Sequence, residues 1–181
     1  MIRKILPTTD HRLRIKSKEV IKIDKKVLKL VQDMWDTLAI QKDPEGIGLA
    51  APQVGKNLRV FVASYKNFKR IVINPLIISK SPVTKHQSPV TKHEIMEGCL
   101  SLPNYYGPLK RSQKVKVRYQ TLSTDHQSLI NKIEDFVDFN AQIILHEIDH
   151  LEGILFIDHL LKEKKSLYKV KGDSWEEVEL I

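Results

Sequence analysis

The stretch AQIILHEIDHLEG, residues 141–153, decides how the rest of the chain is interpreted. It places His146 and His150 four residues apart, so on a helix the two imidazoles lie over the same spot. Glu147 follows the first histidine on the neighbouring part of the helix surface. Two imidazoles and a carboxylate in this arrangement are typical of a metal site with its own acid or base.

The helix that carries these residues is predicted to cover about residues 136–151, with Gly153 placed to end it. On a helical wheel roughly two-thirds of its circumference is apolar, which predicts a core helix with one thin solvent-facing stripe. This stripe is expected to contain Asp138, Gln142, Leu145, Asp149 and Glu152. A buried imidazole without a partner costs about 1–3 kcal/mol. We therefore favour metal coordination over two core histidines bonded to backbone carbonyls.

A third metal ligand must come from elsewhere, because catalytic sites of this kind use three protein ligands and leave one position open. The downstream candidates are Glu152, His159 and Glu163. The continuation HExxHxxGxxH is absent, since position 156 is Phe. The upstream candidate is the only cysteine, Cys99, in the segment MEGCLSLPNYYG. On this pattern alone, an isolated cysteine is more often a small buried apolar residue than a metal ligand.

A second unusual stretch is EGIGLAAPQVG, residues 45–55. It does not match a phosphate-binding loop, because Ala51 stands in place of the third glycine and no Walker lysine follows. Its small residues predict a backbone laid close against a ligand, with Gln53 as a polar group at its end.

The remaining pattern predicts one α+β domain over residues 1–181, with antiparallel strands packed around the central HExxH-bearing helix. Asp24 is expected to cap a first helix over 25–41, whose apolar stripe is Val27, Val31, Met34, Trp35 and Leu38. Strands are predicted at LRVFVAS (58–64), RIVINPLIIS (70–79) and KVKVRYQTL (114–122), and a final hairpin at SLYKVKGDSWEEVEL (166–180).

Composition and charge indicate in which cellular compartment the protein is expected to work. Hydrophobic residues make up 41% and charged residues 29% of the chain, and no apolar run reaches the length of a membrane span. The basic N-terminus lacks the apolar core of a signal peptide, and one cysteine agrees with a reducing compartment, so we expect a cytoplasmic protein. The net charge of +8 is explained by basic side chains on a solvated surface. The alternative is that these side chains attract RNA or a ribosome weakly.

A tandem repeat, SPVTKHQ at 81–87 and SPVTKHE at 88–94, interrupts the strand region. It is too short for a solenoid and predicts a lengthened surface hairpin. A second metal site at His86 and His93 is not favoured, because the first copy holds no acidic or sulfur ligand.

Three blocks together resemble the peptide deformylase family: GIGLAAPQ (46–53), EGCLS (97–101) and HEIDHLEG (146–153). The resemblance extends over nearly the whole chain. It implies that Cys99 joins the two histidines of the last block as metal ligand. It implies Fe²⁺ as the physiological metal, with Zn²⁺, Ni²⁺ or Co²⁺ able to replace it.

The same resemblance implies an activity, the removal of formate from N-formylmethionine on nascent polypeptides. Water on the metal would attack the formyl carbon with Glu147 as general base and then acid. The Gln53 amide and the Leu100 N–H would bind the developing oxyanion, and Gly48 would line the substrate cleft. Ile143, one turn before the first histidine, is our candidate wall for the methionine side chain. By the same resemblance Glu97 pairs with Arg111 on the next strand.

Leu145 departs from the family, which usually has glutamine just before HExxH. Because this position is expected on the solvent-facing stripe, we expect a loss of local hydrogen bonding and not of activity.

Two other functions remain as rivals. A general HExxH endopeptidase with a carboxylate third ligand would leave Cys99 and the 45–55 segment unexplained. A non-catalytic binding protein would need a fourth protein ligand to close a structural metal site.

Overall fold

The computed structural model describes residues 1–42, 44–82, 96–125 and 128–179. The surface hairpin predicted for the SPVTKH repeat falls almost entirely on residues 83–95 and so lies outside the described residues. Within the described ranges, none of the helices is long and apolar enough to cross a membrane.

The described residues include three α-helices: α1 (Lys25–Ala39), α2 (Asp138–Glu152) and α3 (Phe156–Glu163). Helix α1 begins as predicted, because the Asp24 side chain accepts from the backbone N–H groups of Lys26 and Val27. Its predicted apolar stripe faces the core, although Trp35 is only partly buried.

Helix α2 begins two residues later than predicted, because Phe136 and Val137 still pair with Val115 and Lys114 in a strand. It ends as predicted at Gly153, whose φ of 77° is readily adopted only by glycine.

The strands form two antiparallel sheets. The five-stranded sheet has the order β1 (Gly48–Ala50), β2 (Val60–Tyr65), β3 (Phe68–Lys80), β6 (Lys114–Leu122) and β7 (Leu129–Val137). The four-stranded sheet has the order β4 (Met96–Cys99), β5 (Leu102–Pro108), β8 (Leu167–Lys171) and β9 (Ser174–Val178). Among the described residues, the edge strands are therefore β1 and β7 in the first sheet and β4 and β9 in the second. The predicted strands at 58–64, 70–79 and 114–122 and the final hairpin are confirmed.

Helix α2 packs against the inner face of the five-stranded sheet, in a core that includes Phe61, Val117 and Phe136. The α+β class with antiparallel strands around the HExxH helix is therefore confirmed. The predicted solvent-facing stripe on α2 is wrong at Leu145 and Gln142, which are only 4% and 7% exposed. A helical wheel shows which side chains share one face of a helix, but not what packs against that face. In this protein Leu145 packs in the main hydrophobic core.

Candidate metal centre

Helix α2 and the end of β4 bring three donor side chains together. His146 Nε2 and His150 Nε2 lie 3.2 Å apart, and Cys99 Sγ lies 3.3 Å from His150 Nε2. The ligand atoms of Cys99, His146 and His150 all lie within 4.8 Å of one another. One thiolate and two imidazoles are soft and borderline donors that suit Fe²⁺ or Zn²⁺, so the residues present fit a divalent metal.

The downstream candidates for a third ligand are engaged elsewhere. Glu152 forms ion pairs with Arg59 and Lys16, and His159 Nε2 lies 2.8 Å from the Asp149 carboxylate. Glu163 is the last residue of α3, and its Oε2 atom lies 2.9 Å from Lys165 Nζ. The geometry therefore brings Cys99, and not these residues, to the two histidines.

The Cys99 side chain lies in a setting that favours its thiolate form. The residue is 4% exposed, and burial alone would raise the pKa of its thiol. His150 and His146 outweigh burial and lower this pKa to about 5. Because the thiolate is the form that binds metals, the residue is suited to act as a ligand at neutral pH.

Glu97 fixes the orientation of His146. One of its carboxylate oxygens lies 2.7 Å from His146 Nδ1, so the Nε2 atom of the ring faces the other donors. Arg111 donates two hydrogen bonds to the same carboxylate, at 2.6 and 2.7 Å, and Gln142 donates a third at 3.1 Å. The pairing of Glu97 with Arg111 is as expected, but Arg111 lies in the loop between β5 and β6 and not on a strand.

Arg111 links the Glu97 carboxylate to the Asp149 carboxylate. Its Nη1 donates to Asp149 at 2.7 Å, and the same Asp149 oxygen lies 2.8 Å from His159 of α3. The buried carboxylate of Glu97 would be costly alone, but Arg111 and His146 hold its pKa well below the usual range despite burial. The network therefore keeps a charged acceptor beside the metal-site histidine.

Glu147 lies on the cleft side of the three donors and is 3% exposed. Its Oε2 has no hydrogen-bond partner among the described residues. Burial raises the pKa of this carboxyl to about 7, which suits a group that both accepts and donates a proton. A Cβ atom on Gly48 would lie 2.1 Å from Glu147 Oε1, so only glycine leaves room for this carboxylate.

Gln53 occupies a short 3-10 turn, Ala51–Val54, directly after β1. Its Oε1 accepts from the Ala50 N–H at 2.8 Å, which fixes the direction of the amide. Its Nε2 then lies 3.4 Å from Cys99 Sγ and 3.2 Å from Ser101 Oγ. The Nε2 atom of Gln53 therefore faces the donor cluster.

A cleft of about 270 Å³ opens onto this cluster. Gly48, Leu100, Ile143 and Glu147 line it. Its further walls include Tyr65, Met96, Gly98, Tyr106, Phe139 and Gln142. Sequence analysis missed the tyrosines because they lie outside the three motifs and no local pattern marks them as cleft residues. Gln142 carried a signal, since it lies one turn before His146 on α2.

Comparisons with known proteins agree with this site. The family model described as polypeptide deformylase matches residues 2–166. The peptide deformylase of Pseudothermotoga lettingae is 38% identical over 172 residues, 94% of this chain and 90% of that protein. The peptide deformylase of Desulfotalea psychrophila is 38% identical over 180 residues, covering 96% of each chain.

Solved structures give the same result. The crystal structure of peptide deformylase from Thermotoga maritima has a TM-score of 0.73 and 35% identity, covering 87% of this chain and 97% of that one. That of Ehrlichia chaffeensis has a TM-score of 0.73 and 32% identity, covering 91% and 90%. The resemblance found in the sequence is therefore confirmed, and the chain belongs to the peptide deformylase family.

Proposed function

We propose that this chain removes the formyl group from N-formylmethionine at the N-terminus of newly synthesised polypeptides. The observation that carries the proposal is the buried carboxylate of Glu147, which adjoins the three donors and opens into a cleft. Three protein donors and an open cleft are typical of a catalytic metal site and not of a closed structural one. This favours hydrolysis over the non-catalytic alternative.

Cys99, His146 and His150 would hold the metal, which when bound would supply Lewis acidity and lower the pKa of water toward about 7. Glu147, with its own pKa near 7, would accept the proton released from this water. The same carboxyl would then deliver the proton to the departing amine nitrogen. Its burial keeps solvent from competing for the proton at either stage.

The charge that develops on the formyl oxygen needs donors that are already in place. We assign this role to the Gln53 amide and the Leu100 backbone N–H. The amide of Gln53 is held by Ala50 and Ser101, so it would not have to reorganise during the reaction. Leu100 follows Cys99 in the turn after β4 and lines the cleft. Removing one such donor typically costs about 10²–10³ in kcat.

The substrate would bind as an added strand. Residues of one edge strand from each sheet, Gly48 in β1 and Gly98 in β4, line the same cleft. Edge strands carry unpaired N–H and C=O groups that recognise an extended peptide through its main chain. The methionine side chain would then enter the apolar slot beside Ile143 and Phe139.

Formate release from formyl-Met-Ala-Ser tests the proposed function. We expect protein purified without oxygen to release formate, and a chelator to abolish the release. Casein should stay intact, because the proposed reaction removes an N-terminal formyl group and does not cut internal peptide bonds. Digestion of casein without formate release would instead support a general endopeptidase.

Fe²⁺ is the metal that we propose for the enzyme in the cell, because the family resemblance implies it and the thiolate and imidazole donors are compatible with it. Exposure to air is then expected to inactivate an Fe²⁺-loaded sample and to spare a Ni²⁺-loaded one, because only iron undergoes ready oxidation there. Residual formate release after timed exposure measures the effect. Equal loss in both samples would argue against iron as the source of the sensitivity.

We further propose that residues 1–181 form one catalytic domain that works in the cytoplasm, where formylated nascent chains arise. Its excess of basic residues supports a weak contact with the ribosome, whose RNA is anionic.

A further inference from the structure

Helix α3 presents a histidine to the charged network beside the metal centre. Phe156, His159 and Leu160 lie at positions i, i+3 and i+4, so they share one face of this helix. Phe156 and Leu160 are 1% and 0% exposed and pack in one core cluster with Cys99. A Cβ atom on Gly107 of β5 would lie 2.2 Å from Leu160 Cδ1, so α3 lies directly on the four-stranded sheet. The backbone that carries His159 is therefore held in place by packing.

The imidazole of His159 is a hydrogen-bond donor to this network. Its Nε2 atom lies 2.8 Å from Asp149 Oδ2. Because Asp149 is ion-paired with Arg111, it is a carboxylate, which can only accept, and Nε2 must carry the hydrogen. The exposed fraction of the side chains falls from 32% at His159 to 18% at Asp149 and 8% at Arg111. His159 is therefore the solvent end of a network that becomes more buried toward the metal centre.

Asp149 helps to fix Arg111, which lies in the loop between β5 and β6. Arg111 Nη1 donates to Asp149, while its Nε and Nη2 donate to Glu97 at 2.7 and 2.6 Å. The guanidinium is a rigid planar fork, so a turn of the Asp149 carboxylate would also move the donors that hold Glu97. Glu97 lies 2.7 Å from His146 Nδ1 and orients that ring. A shift at Asp149 is therefore passed on to a metal ligand.

We propose that His159 is a positioning residue that slows the release of the metal by holding this network in place. Its N–H fixes the Asp149 carboxylate. The effect passes through Arg111 and Glu97 to the ring of His146. Without this donor the Asp149 carboxylate is free to turn toward water, and the centre loses orientation without losing a ligand. The proposal rests on the proposed function, because it takes a metal bound at the three donors.

The test compares two substitutions of His159 in protein loaded with Zn²⁺. His159→Phe keeps an aromatic ring but has no N–H, whereas His159→Gln keeps an N–H donor near the place of Nε2. We expect the rate of Zn²⁺ release to a colorimetric chelator to rise about three- to tenfold in His159→Phe. This is less than the roughly 10–100-fold loss of affinity that is typical when a group in direct contact with a ligand is removed. His159→Gln should restore most of the slow release.

Two controls accompany this measurement, which is made well below the melting temperature and does not depend on formate release. Leu161→Ala removes bulk from a 48% exposed position on the same helix, two residues from His159 and so on a different face. It should leave the release rate unchanged. The second control adds His159→Phe to Asp149→Ala. No further increase in the release rate is expected, because the group through which His159 acts is already gone.

Each outcome of this test is decisive. Equal release rates in the unaltered protein and in His159→Phe would overturn the positioning role, even if the melting temperature fell, because the residue would then only stabilise α3. Fast release from His159→Gln would overturn it as well, and so would a further increase when His159→Phe is added to Asp149→Ala. Absence of bound metal in the unaltered protein would instead overturn the proposed function, and the positioning role with it.

Discussion

Glu147→Gln is expected to lower kcat/KM for formyl-Met-Ala-Ser by about 10²–10⁴-fold while the protein keeps one metal per chain. Glutamine has the shape of glutamate, so the tight fit against Gly48 is kept, but an amide cannot accept the proton from water. The expected loss therefore reports on proton transfer and not on packing. Formate release and metal content, measured on the same sample, separate the two effects.

Glu152→Gln is the matched control, because it makes the same change five residues later on the same helix. Glu152 is ion-paired with Arg59 and Lys16 and lies away from the donor cluster, so a loss of no more than about 1 kcal/mol in stability is expected. Near-full deformylation by metal-loaded Glu147→Gln would show that another group moves the proton.

Cys99→Ala is expected to abolish stoichiometric metal binding and, with it, activity. Removing even a residue that orients a ligand typically weakens metal affinity about 10–100-fold, and removing a ligand itself should cost more. Metal content after dialysis against a weak chelator measures the change. A circular dichroism melt checks that the fold survives the loss of one small buried side chain.

Ser101→Ala is the control for this change. Ser101 is 2% exposed, lies two residues from Cys99 and contacts Gln53, so the substitution disturbs the same turn without removing a donor of the cluster. It should retain one metal per chain. Stoichiometric metal in Cys99→Ala would mean that the ligand set must be redrawn.

The parts of the fold that follow from local pattern were predictable from the sequence. The Asp24 cap, the final hairpin and the end of α2 at Gly153 each depend on residues close to one another in the chain. Strand β7 was missed because its side chains are mostly exposed, so LINKIEDFV shows no clear alternation of apolar and polar residues. Its last two residues were assigned to the helix for the same reason.

Site residues were predictable where one local sequence motif contains them. They were not predictable where the fold brings together residues that are distant in the sequence. The pair His146 and His150 follows from helical spacing. Cys99 needed the family resemblance, because a lone cysteine is more often a small buried apolar residue than a ligand. The link from Arg111 through Asp149 to His159 joins a loop and two helices. No local pattern marks such a link, because its three members share no spacing.

The open edges of β1 and β4 have a consequence for how molecules of this protein behave toward one another. A free strand edge is ordinarily a template on which a second copy can pair and aggregate. In the described part of the chain these two edges line one narrow cleft floored by α2, so neither is offered on a flat outer surface. An extended chain end is better suited to that space than the edge of another folded sheet. At β1 and β4 the cleft is therefore expected to limit strand pairing between two copies of the protein.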